Sequence, residues 1–164
     1  MQKRLFTVLL FLILFYPCIA SSAGTSRHKA VIALGQQVPA IGAIEKPLID
    51  GCGCSLRLPS DHEKENKRYI FLSDFSGVAQ MNLDGKDLKI KLVKETRQKG
   101  KPRVGEHHSE TYIAGQYTMV IDWRVKEVCD PKDEGCEVTW YWAVITVSRG
   151  NQTQKVNVLG LCGC

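Results

Sequence analysis

From residue 51 onward, apolar and polar positions alternate in short runs that end at glycine, proline, asparagine or aspartate. A period of two residues places one side of a segment in a core and the other in water, as in a half-buried β-strand. No segment shows the sustained 3.6-residue period of an amphipathic helix. The pattern predicts a single all-β domain over residues 51–164. We expect a compact antiparallel barrel or sandwich of about 7–9 strands, stapled by disulfides.

The stretch GVAQMNLDGKDLKIKL predicts a β-hairpin, because Asp84-Gly85 suits a two-residue turn in which both residues need positive φ. Folding at this turn pairs Met81 with Leu88 and Ala79 with Ile90. One face of the hairpin is then apolar and carries Ala79, Met81, Leu88, Ile90 and Leu92. The other face is expected to be wet and carries Gln80, Asn82, Asp87, Lys89 and Lys91.

A second hairpin is predicted where Cys129 and Cys136 flank the loop DPKDEG. A disulfide between these two cysteines sets the register of the flanking strands. That register pairs Trp123 with Trp142, Val125 with Trp140 and Ile121 with Val144. It places all three tryptophans in the core and Tyr141 on the wet face, so core packing is favoured over stacking of the tryptophans on sugar rings.

The first 23 residues combine a basic start, the apolar run LFTVLLFLILFY and a small polar stretch that ends at Ala23. This is the pattern of a Sec-type signal peptide cleaved near Ala23, and the run is shorter than the roughly 20 residues of a membrane span. We expect a periplasmic or secreted protein with residues 24–50 as an extended lead-in and no transmembrane segment in the mature chain. Lipidation of Cys18 is the less favoured alternative, because Phe15-Tyr16-Pro17 are not the small residues of a lipobox.

The predicted cleavage changes the charge and the cysteine count. It removes Lys3 and Arg4 and no acidic residue, so the formal net charge falls from +5 to +3. This mild positive charge gives no argument for a nucleic-acid partner. Cleavage also removes Cys18 and leaves six of the seven cysteines, an even number that predicts a disulfide framework in an exported chain.

Cys-Gly-Cys occurs twice, at residues 52–54 and 162–164. Neighbouring antiparallel strands would pair Cys52 with Cys164 and Cys54 with Cys162, and parallel strands would exchange the partners. The same four cysteines also suit a zinc or copper(I) site, and a redox centre is a third alternative. One long-range bridge stabilises the fold by roughly 4–5 kcal/mol, whereas a second bridge nested inside it adds much less. Stability alone therefore explains one bridge better than two.

Between the two hairpins lies the long charged segment VKETRQKGKPRVGEHHSET, residues 93–111. Ordered loops of this length are uncommon and often functional, so its basic residues and histidines are candidates for contact with a partner. They are Lys94, Arg97, Lys99, Lys101, Arg103, His107 and His108. A solvated excursion without a partner is the simpler interpretation. In a strand, His107 and His108 point to opposite faces, which argues against one metal ion bound by both.

The hairpin sequence GVAQMNLDGKDLKIKL, preceded by GCGCSL, resembles small secreted bacterial β proteins that carry an Ala-x-Met-Asn-x-Asp-Gly hairpin. The resemblance covers only this part of the chain. It implies a β fold and brings neither an activity nor a site residue. In architecture, a small exported barrel is similar to periplasmic lysozyme inhibitors, although their inhibitory loop motif is missing from the sequence.

The sequence has no nucleophile elbow, zinc-protease motif or phosphate-binding glycine loop. We therefore expect no enzyme and no cofactor, but an exported, disulfide-stabilised binding or inhibitory protein of the bacterial envelope. Its partner is expected to be a protein or another envelope component, with no nucleic acid involved, and the protein itself to be a monomer. The alternative is a periplasmic metal-binding protein that holds zinc or copper with Cys52, Cys54, Cys162 and Cys164.

Overall fold

The computed structural model describes residues 37–61, 68–130, 132–133 and 135–164. The predicted signal peptide and residues 24–36 of the predicted lead-in lie outside the described residues. Within the described ranges there are nine β-strands and one turn of 3-10 helix. The strands are β1 (Ile41–Gly42), β2 (Gly53–Arg57), β3 (Tyr69–Ser73), β4 (Val78–Leu83), β5 (Lys86–Glu95), β6 (His107–Ala114), β7 (Tyr117–Val128), β8 (Val138–Arg149) and β9 (Gln152–Gly163), and the 3-10 turn is Pro59–Asp61.

Strands β2 to β9 form a closed antiparallel barrel in which each strand pairs with the next one along the chain. The last strand, β9, returns to pair with β2, and this β2–β9 pairing, here called the seam, closes the barrel. The short β1 pairs with Leu83 and Asn82 of β4 beside the barrel. The structure therefore confirms the all-β prediction and, between barrel and sandwich, shows a barrel. Closure is a common way to remove exposed strand edges from an antiparallel sheet.

The β4–β5 hairpin has the predicted register, with Met81 opposite Leu88 and Ala79 opposite Ile90. Its turn residue Asp84 has φ 51° and the following glycine has φ 75°, both positive as the predicted turn requires. The register that the two turn residues predicted is therefore confirmed for this hairpin.

The outer face of the same hairpin differs from the prediction, because Gln80 and Asn82 are buried rather than wet. The preceding chain lies across this face. The backbone N–H of Leu48 donates to Gln80 Oε1 at 2.9 Å, and Gln80 Nε2 donates to the carbonyl of Lys46 at 2.8 Å. Asn82 Nδ2 donates to Asp87 Oδ1 at 2.7 Å. The last part of the predicted lead-in is thus hydrogen-bonded to the barrel wall.

The β7–β8 hairpin does not have the predicted register. Trp123 lies opposite Ala143, and Trp142 lies opposite Arg124. The register shifts between Val125 and Glu127, where β7 has one residue more than its partner. The predicted pairing of Trp123 with Trp142 is therefore wrong, as are the pairings of Val125 with Trp140 and Ile121 with Val144.

This shift exchanges the faces of β8. Tyr141, which was expected to be wet, is 4% exposed and points into the barrel. Trp142, which was expected in the core, is 45% exposed on the outer wall, and Trp140 is half-buried. Trp123 is in the core as predicted, at 1% exposure. A single extra residue reverses every side chain of a strand relative to its partner, because the side-chain period is two.

Side chains fill the interior of the barrel. The aliphatic and methionine part of this core includes Leu56, Met81, Ile90, Met119, Ile121, Ile145, Val147 and Val158. Each such side chain contributes about 1.5–3 kcal/mol when it is fully buried. Phe71 packs edge-on against the rings of Tyr112 and Trp123. No helix in the described part of the chain is long and apolar enough to cross a membrane.

The two ends of the barrel differ. The disulfide end carries the β3–β4, β5–β6 and β7–β8 connections and both Cys-Gly-Cys elements. At the opposite end, Asp84 accepts hydrogen bonds from the Tyr117 hydroxyl at 2.6 Å and the Ala40 backbone N–H at 2.7 Å, and pairs with Arg149. These contacts lower the pKa of the Asp84 carboxyl, and the hydrogen bond from the Tyr117 hydroxyl has the largest effect. These contacts attach the beginning of the described chain to the barrel.

Candidate functional site at the disulfide end of the barrel

Three disulfides lie at this end. The seam places Cys54 opposite Cys162, with Cα atoms 4.0 Å apart, and Cys52 bonds to Cys164 with a Cα separation of 4.3 Å. Cys129–Cys136 closes the β7–β8 loop. These are the pairs that the sequence analysis gave for antiparallel neighbours, and the four cysteines of the metal alternative are thus bonded to each other here. Disulfides of this kind indicate an oxidising compartment, outside the cell or in the periplasm.

The central glycine of each Cys-Gly-Cys element has a packing reason. A Cβ atom on Gly53 would overlap the backbone carbonyl oxygen of Ser73, and one on Gly163 would overlap that of Glu137. The backbone of β2 thus lies too close to β3, and that of β9 too close to the start of β8, for a side chain between the two cysteines. This packing explains why glycine stands between the two cysteines in both elements.

The connection between β5 and β6, residues 96–106, is here called the basic loop. Its first residue, Thr96, donates its backbone N–H to Ser109 O at 2.9 Å and accepts from the Ser109 N–H at 2.7 Å. Near its end, Gly105 N donates to Val125 O, and Val125 N donates to Glu106 O, both at 2.9 Å. The basic loop is therefore held to the barrel at both ends.

The structure separates the candidate residues of this segment into two groups. The side chains of Lys94, Lys99, Lys101, Arg103 and His107 are exposed. Arg97, which is also exposed, and the buried His108 belong to a polar cluster at the mouth of the barrel. His107 and His108 point to opposite faces of β6, as expected, so they do not converge on one ion. Among the described residues there is no group of three or more histidine, cysteine and acidic side chains that is arranged to hold a metal ion.

Glu110 is the centre of the polar cluster. Its Oε1 accepts a hydrogen bond from Arg97 Nη2, and its Oε2 accepts from the Tyr112 hydroxyl and from Trp123 Nε1, all at 2.9 Å. Burial raises the pKa of the Glu110 carboxyl, while these donors and the Arg97 charge oppose the rise. Both carboxylate oxygens are engaged, so the arrangement holds a cation rather than offering a free base.

Arg97 has further acceptors around it. Its Nε lies 3.1 Å from Glu95 Oε1 and 3.2 Å from His108 Nε2, and its Nη2 lies 3.0 Å from the same histidine nitrogen. Burial and the Arg97 charge lower the pKa of His108 to about 4, so its ring is neutral near pH 7 and Nε2 accepts. The guanidinium thus sits among two carboxylates and an imidazole.

Aromatic rings enclose the cluster from the barrel side. The His108 ring is parallel to the Trp123 ring at a centroid distance of 5.7 Å. Tyr141 contacts both rings edge-on, at 5.9 Å from His108 and 5.2 Å from Trp123. Burial raises the pKa of the Tyr141 hydroxyl and that of Tyr112, so both remain neutral donors. The cluster is therefore bounded by apolar faces and carries its charge at Arg97 and the carboxylates.

Sequence reasoning did not find this cluster as a unit. Arg97 and His108 were named only as candidates for contact with a partner, and no interaction with Glu110 or Tyr112 was predicted. A signal was present, because His108, Glu110 and Tyr112 alternate along one strand and must share a face. Polar residues on an inward face fit poorly with an apolar core, so hydrophobic patterning gave no reason to place them inside.

Two cavities flank Arg97. One, of about 130 Å³, lies toward the β3–β4 turn and is lined by Phe75, Glu95, Glu110 and Tyr112 among others. The other, of about 90 Å³, lies under the basic loop and is lined by Pro102, Glu106, His108 and Tyr141 among others. Arg97 lines both cavities. No protein-family model, no curated protein and no solved structure matches this chain.

Proposed function

We propose that this protein is an exported, non-catalytic binding or inhibitory protein that presents its basic loop to an acidic surface of a protein partner. The observation that carries the proposal is the basic loop itself, an exposed cationic segment attached at both ends to a closed barrel. Three disulfides at the same end support a role in an oxidising compartment.

The chemistry of the basic loop favours an acidic partner. Lys99, Lys101 and Arg103 are exposed along five residues, and Lys94 is exposed just before the loop. Val104, the residue after Arg103, is 65% exposed and supplies an apolar contact beside the charges. Clustered cations steer association with an acidic surface and give specificity through charge complementarity.

The attachment of the basic loop favours binding because it limits the entropy lost on association. The hydrogen bonds of Thr96 and Gly105 to the barrel hold its two ends. Within it, the backbone N–H of Arg103 donates to Glu106 Oε2 at 2.9 Å, and Glu106 N donates to Arg103 O. A loop that is ordered before it meets its partner loses less conformational freedom on binding than a disordered one.

The test compares two charge-reversal variants of equal net charge. One carries Lys99→Glu, Lys101→Glu and Arg103→Glu in the basic loop. The matched control carries Lys86→Glu, Lys89→Glu and Lys155→Glu, three exposed lysines away from the disulfide end. Binding to immobilised poly-L-glutamate, an acidic polypeptide, is measured by interferometry at low and at high salt.

We expect the loop variant to lose at least tenfold in affinity at low salt and the control to lose much less. Circular dichroism confirms that both variants are folded. Equal losses in the two variants would show that net charge alone governs binding, and the proposal for the basic loop would then be wrong. Absence of binding by the unmodified protein would also overturn it.

A further inference from the structure

The polar cluster has the composition of a binding site whose occupant is supplied by the protein itself. Its acceptors belong to strands: Glu95 is the last residue of β5, and His108 and Glu110 lie on β6. The guanidinium that they bind belongs to Arg97, which lies in the basic loop. The acceptors and the group that they bind therefore come from separate segments of the chain, the strands and the basic loop.

Two of the acceptors, Glu110 and His108, have contacts besides Arg97 that hold their side chains in position. Glu110 Oε2 is held by the Tyr112 hydroxyl and Trp123 Nε1, and these bonds leave Oε1 facing Arg97. His108 is held by its parallel contact with Trp123 and the edge of Tyr141. If Arg97 withdraws, the carboxylate and the imidazole remain in place around a vacated position, as in a preorganised site.

The position of Arg97 is reachable from solvent. Its side chain is 35% exposed, whereas those of His108 and Glu110 are 4% and 8% exposed. The cavities of about 130 and 90 Å³ both have Arg97 in their lining, so its departure enlarges the space at the mouth, here called the chamber. The chamber then has acceptors on one side and rings of Tyr112 and Tyr141 on the others.

We propose that the mouth of the barrel is a binding site for a guanidinium group, which Arg97 occupies in this structure and which an external guanidinium can take over. A planar guanidinium carries N–H groups at fixed positions, and in this structure Nε and Nη2 of Arg97 reach His108 and Glu110 together. A compact ammonium ion lacks this fixed fork of donors. The source of the group is either a small molecule or an arginine side chain of a peptide.

Competition with Arg97 sets the affinity. A ligand binds only to molecules from which Arg97 has withdrawn. The apparent dissociation constant therefore equals the intrinsic one divided by the fraction of molecules in which the site is vacant. Truncation of Arg97 removes this competition and tightens binding. The inference does not rest on the proposed function, although takeover of the site would also release the attachment of Arg97 to the barrel.

The first experiment uses Arg97→Ala and N-ethylguanidinium, which restores the atoms that this substitution removes beyond Cβ. Isothermal titration calorimetry compares this variant with the unmodified protein and with Arg124→Ala, which removes an exposed arginine from the outer wall. N-ethylurea, a neutral molecule of similar shape, is the ligand control. A Gly-Arg-Gly peptide distinguishes a peptide source of the guanidinium from a small-molecule source.

We expect Arg97→Ala to bind N-ethylguanidinium at least tenfold more tightly than the unmodified protein or Arg124→Ala does. N-ethylurea should not bind, and addition of Glu110→Gln to Arg97→Ala should weaken binding at least tenfold. Tighter binding of the peptide than of the small molecule assigns the site to a peptide partner, and the reverse assigns it to a small molecule. A folded Arg97→Ala variant that binds neither ligand overturns the proposal, as does equal binding by Arg124→Ala.

A second measurement needs no variant. The Trp123 indole N–H donates to Glu110 and therefore reports on the site in nitrogen-15 spectra of the unmodified protein. We expect a saturable shift of this signal with N-ethylguanidinium and no shift of the Trp142 signal, which comes from the outer wall. A titration that moves both signals equally, or neither, overturns the proposal.

Discussion

Cys54 lies directly opposite Cys162 across the seam, with the two Cα atoms 4.0 Å apart. The next pair outward, Cys52 and Cys164, lies on the same side of the two strands. The seam joins segments 108 residues apart in sequence, and the five-residue β2 is its shorter partner. Two adjacent bridges therefore fix both the closure and the register of the longest-range pairing of the barrel.

Removal of the two seam bridges should be strongly non-additive. Cys52→Ala/Cys164→Ala alone should cost little, about 1 kcal/mol, because the inner bridge still closes nearly the same loop. Removal of all four cysteines should cost about 4–5 kcal/mol, the loop-closure entropy of one long bridge. Urea unfolding followed by circular dichroism measures each free energy.

Cys129→Ala/Cys136→Ala is the control, since its bridge spans a separation of only seven residues and closes the β7–β8 loop rather than the β2–β9 seam. Its cost should add to that of either seam variant. A loss of 4–5 kcal/mol from the outer seam pair alone would contradict the nested arrangement.

The chemical state of the cysteines can be counted directly. Intact mass with and without thiol alkylation should show no free thiol among the six paired cysteines, and elemental analysis should show no zinc or copper. Each pairing uses sulfur atoms that a metal would otherwise need as thiolates. Four alkylatable thiols with one equivalent of zinc or copper would replace the seam bridges with the metal alternative.

Gly53→Ala should destabilise the barrel by about 1–3 kcal/mol or more, as overpacking does, because the added Cβ meets the Ser73 carbonyl oxygen. Gly135→Ala is the matched control. A Cβ there meets only the Asp133 carboxylate, at 3.6 Å, so the change should be within about 0.5 kcal/mol. Equal costs would show that backbone freedom, rather than packing at the seam, explains the glycine.

The two hairpins show what local sequence determines. The β4–β5 turn is encoded by two adjacent residues, Asp84 and Gly85, so its register could be predicted in full. The β7–β8 register depends on an extra residue between Val125 and Glu127, which no turn residue marks. The Cys129–Cys136 bridge lies beyond that extra residue and could not set the pairing on its other side.

The candidate site was predictable in part for a similar reason. Charge and length identified the basic loop, since both are visible in the sequence. The sequence does not show whether Arg97 points outward with its neighbours or inward to Glu110. The answer depends on which face of β6 lines the interior, and that face is determined only when the barrel closes. The burial of Gln80 likewise depends on chain that returns from 32 residues away in sequence.

Trp123→Phe should destabilise the protein by about 1–3 kcal/mol, because it removes one donor from a buried carboxylate. The exposed Trp142, whose ring lies 5.2 Å from Lys126 Nζ, is the control. Trp142→Phe should change the free energy of unfolding by no more than about 0.5 kcal/mol. In the predicted register both tryptophans would lie in the core, and the two substitutions would cost similar free energies of unfolding. Similar losses would therefore contradict the observed register.

The buried His108 should make the protein less stable as the pH falls. Its pKa is about 4 when folded against 6.5 ordinarily, so between these values the unfolded chain binds the proton and the folded protein does not. Stability from His108 is therefore fully present above pH 6.5 and declines toward pH 4, by on the order of 3 kcal/mol. Denaturant unfolding at pH 7, 5.5 and 4.5 measures the decline.

His108→Gln isolates this contribution, because it keeps a neutral acceptor near Arg97 and removes the titration. Arg97, Trp123 and Tyr141 contact the ring and remain in both proteins. Glu110 Oε1, 3.8 Å from His108 Nε2, and Glu106, which lines the same cavity, also remain. The raised pKa of Glu110 acts in the opposite direction, since the folded state takes up that proton first and gains stability as the pH falls. The difference between the two proteins should therefore shrink from pH 7 to pH 4.5, and parallel stability curves would show that His108 is not held neutral by the folded barrel.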